Sequence, residues 1–379
     1  MKAGWKTKPL KDCVETFNVK KKIPKKAYQS EGKFPVVSQE EKKVSGYWNV
    51  EDDVTQVDTP VIIYGDHTQV VKLVDFDFVA GADGIKPLKP KDGIIAAYLC
   101  YFLQANKVPS LGYARHFRHM KEVLVTVPPL EEQQQIVQIL DESFAKLETA
   151  RSNTAANLES SKELFQSVLN ESLSGAEEKG WETKSLGEVC NFENGDRGKN
   201  YPGRKAFVDA GVPFINAGHI EGNSIDWSIM NYIPEEHFDR LSKGKVRRND
   251  ILFCLRGSLG KSALIEKDTK GAIASSLVIV RANKGLLVKY LNWYFESKFC
   301  ADEIEKRKGG TAQPNLGATD LKKFHLPYPS LKQQQYIVEK LDSLREQTNS
   351  LQQEYTSQLA DMDELRQSLL QKAFTGELT

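Results

Sequence analysis

Long apolar runs are missing from this chain of 379 residues. The longest, Ile94 to Leu103, has ten residues, about half of what a bilayer-spanning helix needs. No apolar stretch follows Met1 that would make a signal peptide, so the sequence reads as a soluble, unexported protein. Cysteine is scarce: Cys13, Cys100, Cys190, Cys254 and Cys300 are odd in number, far apart and never in a C-x-x-C pair. That spacing suggests neither a disulfide framework nor a structural zinc site, and a reducing cytoplasm fits it. An excess of either charge is absent too. Lys+Arg number 52 against 51 Asp+Glu, a net charge of +1, which for the whole chain argues against a protein wrapped around nucleic acid. Composition is otherwise ordinary, with 40% hydrophobic and 27% charged residues, and the length favours two or more globular units.

Catalytic signatures are missing as well. Gly257-Ser258-Leu259-Gly260-Lys261-Ser262 resembles a phosphate-binding loop, but G-x-x-x-x-G-K-[ST] requires glycine at position 255, where Leu255 stands. His116 and His119 lie three apart with no carboxylate or cysteine at ligand spacing, so no metal site is expected. Val127-Pro128-Pro129-Leu130 lacks the Asn or Asp and the aromatic of an adenine methyltransferase's Asn-Pro-Pro-Tyr motif. No G-x-G-x-x-G or G-x-S-x-G occurs. The chain reads as one without its own catalytic centre.

What the sequence does contain is a repeat. Pro128-Pro129-Leu130-Glu131-Glu132-Gln133-Gln134-Gln135-Ile136-Val137 returns at an offset of 201 as Pro329-Ser330-Leu331-Lys332-Gln333-Gln334-Gln335-Tyr336-Ile337-Val338. The same offset still aligns Leu164, Leu169 and Gly175 with Leu365, Leu370 and Gly376. Upstream, Gly4-Trp5-Lys6-Thr7-Lys8-Pro9-Leu10 matches Gly180-Trp181-Glu182-Thr183-Lys184-Ser185-Leu186 at 176. Tyr98 to Leu103 resembles Tyr290 to Phe295 at 192. The plan is globular segment (1–129), long segment (130–175), globular segment (176–329), long segment (330–379).

Neither long segment holds proline or glycine before Gly175 and Gly376, where glycine can end a helix. Each is expected to be one helix of about 43 residues, roughly 65 Å long. A 3.5-residue period picks out Ile337, Leu341, Leu344, Thr348, Leu351, Tyr355, Met362, Leu365 and Leu369 in the second. Ile136, Leu140, Leu147, Leu164 and Val168 match in the first, whose middle (Ala150, Thr154, Asn157, Ser161) is small and polar. This is a coiled-coil seam, and the simplest partner for each helix is the other, packed antiparallel. The globular segments mix β-rich runs such as Val61-Ile62-Ile63-Tyr64 with one aromatic-rich helix each. The expected class is α+β.

Split along the repeat, the net charge resolves. Residues 1–129 hold 20 basic and 15 acidic side chains (+5), 130–179 hold 4 and 10 (−6), 180–329 hold 23 and 18 (+5), and 330–379 hold 5 and 8 (−3), which sum to +1. Two basic globular units thus alternate with acidic helices. Basic residues cluster at Lys20 to Lys26 and Arg115 to His119 in the first unit. In the second they cluster at Arg197 to Lys205, Lys243 to Arg248, Arg256 to Lys261 and Lys306 to Lys308. Such runs, with Asn, Gln and aromatics nearby, suit phosphate contact and base-edge readout.

The repeated Pro-x-Leu-x-x-Gln-x-x-Ile-Val-like starts, the paired Gly-Trp-x-Thr-x-x-Leu openings and the ending Leu370-Gln371-Lys372-Ala373-Phe374-Thr375-Gly376-Glu377-Leu378 resemble one family across the whole chain. That family is the specificity subunit of type I restriction-modification systems. Gly309-Gly310-Thr311-Ala312-Gln313-Pro314-Asn315-Leu316 resembles a loop common in its recognition domains; the first unit departs there, with Gly112-Tyr113-Ala114-Arg115-His116-Phe117. The resemblance implies two target recognition domains that each read half of a split double-stranded DNA sequence. It also implies two helical regions forming an antiparallel coiled coil that sets the gap. Two methyltransferase subunits holding S-adenosylmethionine would dock on the helices, and restriction subunits using ATP and Mg would complete the complex. Candidate DNA contacts are Lys21, Lys25, His67, Gln69, Arg115 and Arg118 in the first unit. In the second they are Arg197, Lys199, Arg256, Lys261, Arg307, Lys308, Gln313 and Asn315. Rival readings are a coiled-coil adaptor that binds only protein and a methyltransferase or nuclease fragment of unrecognised type.

Overall fold

The computed structural model describes residues 4–82, 84–110, 112, 114–198, 200–309 and 314–379. Two compact units emerge, residues 1–156 with 355–379 and residues 157–354. Each takes one globular segment and part of both long helices.

In the first unit, strands β1 (Val14–Thr16), β2 (Val61–Gly65), β3 (Val71–Val74) and β4 (Ile85–Pro90) form an antiparallel sheet in the order β1-β4-β2-β3. Every residue of β2 is buried, which accounts for its unbroken apolar run: a strand covered on both faces has no reason to alternate. Helix α1 (Ala96–Ala105) supplies Leu99, Phe102 and Leu103 to a core shared with Ile62, Tyr64 and Leu88. A second sheet contains Phe34–Val37 paired with Gly46–Trp48 and, in parallel, with Val79–Gly81. From Pro129 the chain enters α2 (Leu130–Leu173), with Glu131 and Glu132 in its first turn, where acidic side chains favour the helix dipole.

The second unit repeats the plan. Strands β5 (Cys190–Asn194), β6 (Ile251–Cys254), β7 (Ser262–Leu264) and β8 (Leu277–Ala282) have the order β5-β8-β6-β7. Helix α3 (Val288–Glu296) takes the place of α1, followed by α4 (Lys298–Arg307) and, after a short strand, α5 (Leu331–Thr375). The expected α+β class and the paired long helices are both present.

Two glutamines fasten the helix starts. Gln133 accepts from the backbone N–H of Ile95 (2.9 Å) and donates to the carbonyls of Gly93 (3.0 Å) and Pro128 (2.8 Å). Its repeat partner Gln334 accepts from Leu287 (2.8 Å) and donates to Gly285 and Pro329 (2.9 Å each). Both side chains are fully buried, which polar groups tolerate only when hydrogen-bonded.

Within each unit the two long helices run antiparallel. In the first, Ile136 and Leu140 share a cluster with Leu370 and Ala373, while Arg151 pairs with Asp363 at 2.5 Å. In the second, Leu169 and Leu173 pack with Ile337 and Leu341. The seam departs in phase from the sequence expectation. Leu164, Leu351 and Leu365 are 51%, 40% and 49% exposed, and Leu147, Val168, Leu344, Tyr355, Met362 and Leu369 are half-buried. Inward-facing positions go to Phe165 and Arg366, one residue further on. A helix of 3.6 residues per turn drifts from a strict 3.5 repeat, and these two larger side chains complete a stack. The Arg366 guanidinium lies 4.4 Å from the Phe144 ring centre, and that of Arg345 lies 3.6 Å from Phe165. At an offset of 201, Phe144 corresponds to Arg345 and Phe165 to Arg366, so each unit holds one Arg–Phe stack with the phenylalanine always on α2.

Candidate nucleic-acid interface

The turns that follow β2 and β6 occupy the same place in the two sheets, and the basic clusters gather around them. In the first unit the turn begins at Asp66, whose side chain is 4% exposed. Asp66 Oδ1 accepts from the Phe117 N–H at 2.8 Å, its carbonyl accepts from the His116 N–H at 2.8 Å, and Lys86 Nζ lies 3.9 Å from Oδ2. One buried carboxylate therefore fixes the Arg115–Arg118 segment against the end of β2. His67 Nδ1 sits 3.1 Å from the Ala114 carbonyl, and the backbone N–H of His67 donates to Gln39 Oε1 at 3.2 Å. Beside Gln39, Glu40 pairs with Lys25 at 2.5 Å. Lys20, Lys21, Lys22, Lys86 and Phe117 line a cleft of about 620 Å³. Within reach of it, Lys21 pairs with Asp53 at 2.9 Å, holding that carboxyl below the usual range.

Gln69 has a different place. It is buried, with φ +55, and its amide both donates to and accepts from the backbone of Val108 at 3.0 Å. Both ends of the amide are thereby engaged in holding the turn. Lys72, which the sequence did not single out, is buried with its ammonium donating to the Ser38 carbonyl at 2.9 Å; burial pushes its pKa down to about 8.

In the second unit Leu255 is the hub. Its N–H donates to Ser276 (2.9 Å) and its carbonyl accepts from Leu316 (3.0 Å), which draws the 314–316 segment onto the turn. Asn315 exchanges two backbone hydrogen bonds of 2.9 Å with Gly309 and bridges to Arg256. Gly257 and Gly260 have φ +79 and +87, the left-handed region that favours glycine; a Cβ at Gly260 would lie 2.7 Å from Ile304 Cδ1. The two glycines that imitated a phosphate loop thus shape a tight turn against α4. Lys261 donates to the Ile220 carbonyl at 3.1 Å, and Arg197 to Ser275 at 3.2 Å. Lys308 pairs with Glu305 at 2.7 Å and joins Ser258 and Lys261 around a cleft of about 350 Å³.

The structure therefore brings Arg197, Arg256, Lys261, Lys308 and Asn315 to one end of the sheet. Arg115, Arg118 and Arg256 are exposed, and their guanidinium groups contact no carboxylate of a described residue. Arg307 is half-buried: it pairs with Glu303 at 2.6 Å and lies over Phe324, holding α4 to the core. Lys199 and Gln313 lie outside the described residues. Lys86 escaped the sequence reading, because an isolated Lys in Ile85-Lys86-Pro87 carries no signal by itself. Among the described residues no cluster of His, Cys, Asp or Glu could hold a metal ion.

A family profile described as Type I restriction modification DNA specificity domain matches residues 2–157 and 178–360. The chain is 26% identical to the type I restriction enzyme EcoBI specificity subunit of Escherichia coli, over 69% of this chain and 60% of that one. With the EcoR124I/EcoR124II specificity subunit of Escherichia coli the identity is 28% over 87% of this chain and 83% of that one. Among solved structures, the fold is similar to a chain from work on complex assembly and conformational transition of the type I R-M system. The TM-score is 0.75 at 20% identity, covering 99% of both chains.

Proposed function

The chain belongs to the family of the type I restriction modification DNA specificity domain, and from that premise we propose that it is the DNA-reading, non-catalytic subunit of a type I restriction-modification enzyme. Each globular segment reads one half of a split target. Residues 1–129 and 176–329 are the readers, and the helical segments 130–175 and 330–379 set the gap and carry the methyltransferase subunits. Methyl transfer with S-adenosylmethionine, and ATP- and Mg-dependent restriction, belong to the partner subunits. The site of action is the cytoplasm, where the host's DNA lies; among the described residues no helix is long and apolar enough to cross a membrane.

The observation that carries this reading is the matched clustering of basic side chains around the turns after β2 and β6. Lysines there neutralise phosphates and fix register. An arginine such as Arg256 can donate two parallel hydrogen bonds to a guanine edge, and an asparagine such as Asn315 can pair with adenine. Neither unit is strongly charged overall, which suits binding that is specific rather than indiscriminate.

The test is DNA binding by the chain assembled with its methyltransferase subunit. Arg256→Ala with Lys308→Ala is expected to lower affinity and to reduce the slope of log K against log salt by about 1 per lost phosphate contact. Unchanged affinity and slope in both this variant and Arg115→Ala with Arg118→Ala would overturn the assignment of these loops. Binding only to protein would favour the adaptor reading.

A further inference from the structure

In the first unit, the loop that joins strands Phe34–Val37 and Gly46–Trp48 is held from within by a buried charge. Lys72, on the edge strand β3, is 6% exposed, and its ammonium donates to the carbonyls of Ser38, at 2.9 Å, and of Lys42. One cation thereby bridges backbone positions four residues apart. A charge withdrawn from water is costly unless its hydrogen bonds are replaced, and these two carbonyls are the replacement.

Packing does not call for a lysine at this place. Ile63, three residues before Asp66, pairs with Lys72 across the sheet; Leu252, three before Leu255, pairs with Ala263. Ala263 is fully buried in an apolar cluster, so the second unit fills the same place without a charge. There a different lysine, Lys261, grips the loop after the matching strand Val212–Ile215, through the Ile220 carbonyl. The loop that Lys72 holds reaches the candidate DNA contacts. Gln39 accepts from the His67 backbone N–H through Oε1 at 3.2 Å and from the Thr68 hydroxyl through its carbonyl at 2.7 Å, and Glu40 pairs with Lys25 at 2.5 Å.

We propose that Lys72 is a positioning residue for the first half-site: its ammonium closes the 38–42 loop, and that loop sets His67 and Lys25 against the DNA. The inference rests on the reading of residues 1–129 as one half of a DNA reader. Without the clamp, Lys25 keeps its charge but loses its fixed place, so discrimination between bases suffers more than attraction to phosphate.

The test uses the chain assembled with its methyltransferase subunit, acting on DNA that lacks its modification, with the methylated adenines mapped by sequencing. The native protein defines two half-sites. Lys72→Met, which keeps an apolar stem and removes the charge, is expected to lower the preference for the cognate base about fivefold or more at one or more positions of one half-site. That half-site is the one altered by Arg115→Ala with Arg118→Ala, and the other stays as the native protein reads it. The slope of log K against log salt stays the same, since Lys72 neutralises no phosphate in this role. Gln39→Ala, which leaves the buried lysine in place, is expected to relax the same half-site, and it decides alone if Lys72→Met does not fold. Two unchanged half-sites with either variant, whatever the affinity, would overturn the inference and leave the DNA reading intact. Both half-sites relaxed alike would mean a general loss of structure, and a slope reduced by about 1 would mean a direct phosphate contact; either result also overturns it. A native complex that methylates at no defined sequence overturns the inference together with the DNA reading.

Discussion

Gln133 and Gln334, 201 positions apart, each make the same three hydrogen bonds: one accepted from the N–H of the N-cap residue of α1 or α3, two donated to carbonyls on either side of the joint. Each glutamine ties a long helix to its own globular segment through backbone atoms, so the tie survives changes in neighbouring side chains.

Gln334→Leu keeps the volume but strands the Leu287 N–H and the Gly285 and Pro329 carbonyls. At about 1 kcal/mol per lost bond the expected cost is about 3 kcal/mol, read as a lower urea midpoint. Gln133→Leu should cost the same. The two losses should add within about 0.5 kcal/mol, since they share no partner.

The stack of Arg345 on Phe165 is also bordered by Trp293, whose ring lies 5.2 Å from the guanidinium. A double-mutant cycle of Arg345→Ala and Phe165→Ala should give a coupling of about 1–2 kcal/mol. Leu164→Ala, at the exposed neighbouring position, should stay within about 0.5 kcal/mol. Equal costs at 164 and 165 would restore the seam that the leucine pattern suggested.

Glu296 pairs with Arg345 but is almost wholly enclosed, and burial pushes its pKa up from 4.5 to about 6 despite the guanidinium. The folded chain therefore holds this proton more tightly than the unfolded chain. Its contribution to stability is complete below about pH 4.5 and fades as pH rises through about 6. Between those limits the stability of the native sequence relative to Glu296→Gln should fall by about 2 kcal/mol. Parallel urea curves at several pH values would show it; a constant difference would exclude it.

All five cysteines are buried and free, and burial raises the thiols of Cys100, Cys190 and Cys254 to about 12. Thiolate is the reactive form. Ellman's reagent at about pH 8 should therefore leave the native chain unmodified and titrate all five thiols only in denaturant.

Much of this architecture was legible in the sequence, because a repeat at constant offset fixes helix length and the glycines at 175 and 376 mark both ends. The phase of the seam was not. Leu164 and Leu365 look like better core residues than their neighbours, and only the packed structure shows Phe165 and Arg366 turned inward. Gln69 and Arg307 illustrate a second limit. A polar letter in a basic loop reads the same whether it faces solvent, the backbone of Val108 or the carboxylate of Glu303. The turn after β6 was legible as a place but misleading as a motif, since its glycines answer to backbone geometry.

The crossed Arg–Phe stacks bear on ancestry. A newly duplicated gene would have carried the same residue at 144 and 345, and the same at 165 and 366. Were the first helix now to pair with a copy of itself, Phe144 would meet Phe165. Were the second to do so, Arg345 would meet Arg366, two like charges. Only cross-pairing of the two helices sets an arginine against a phenylalanine in both units. The stacks thus select the sister helix over a second copy of the same one.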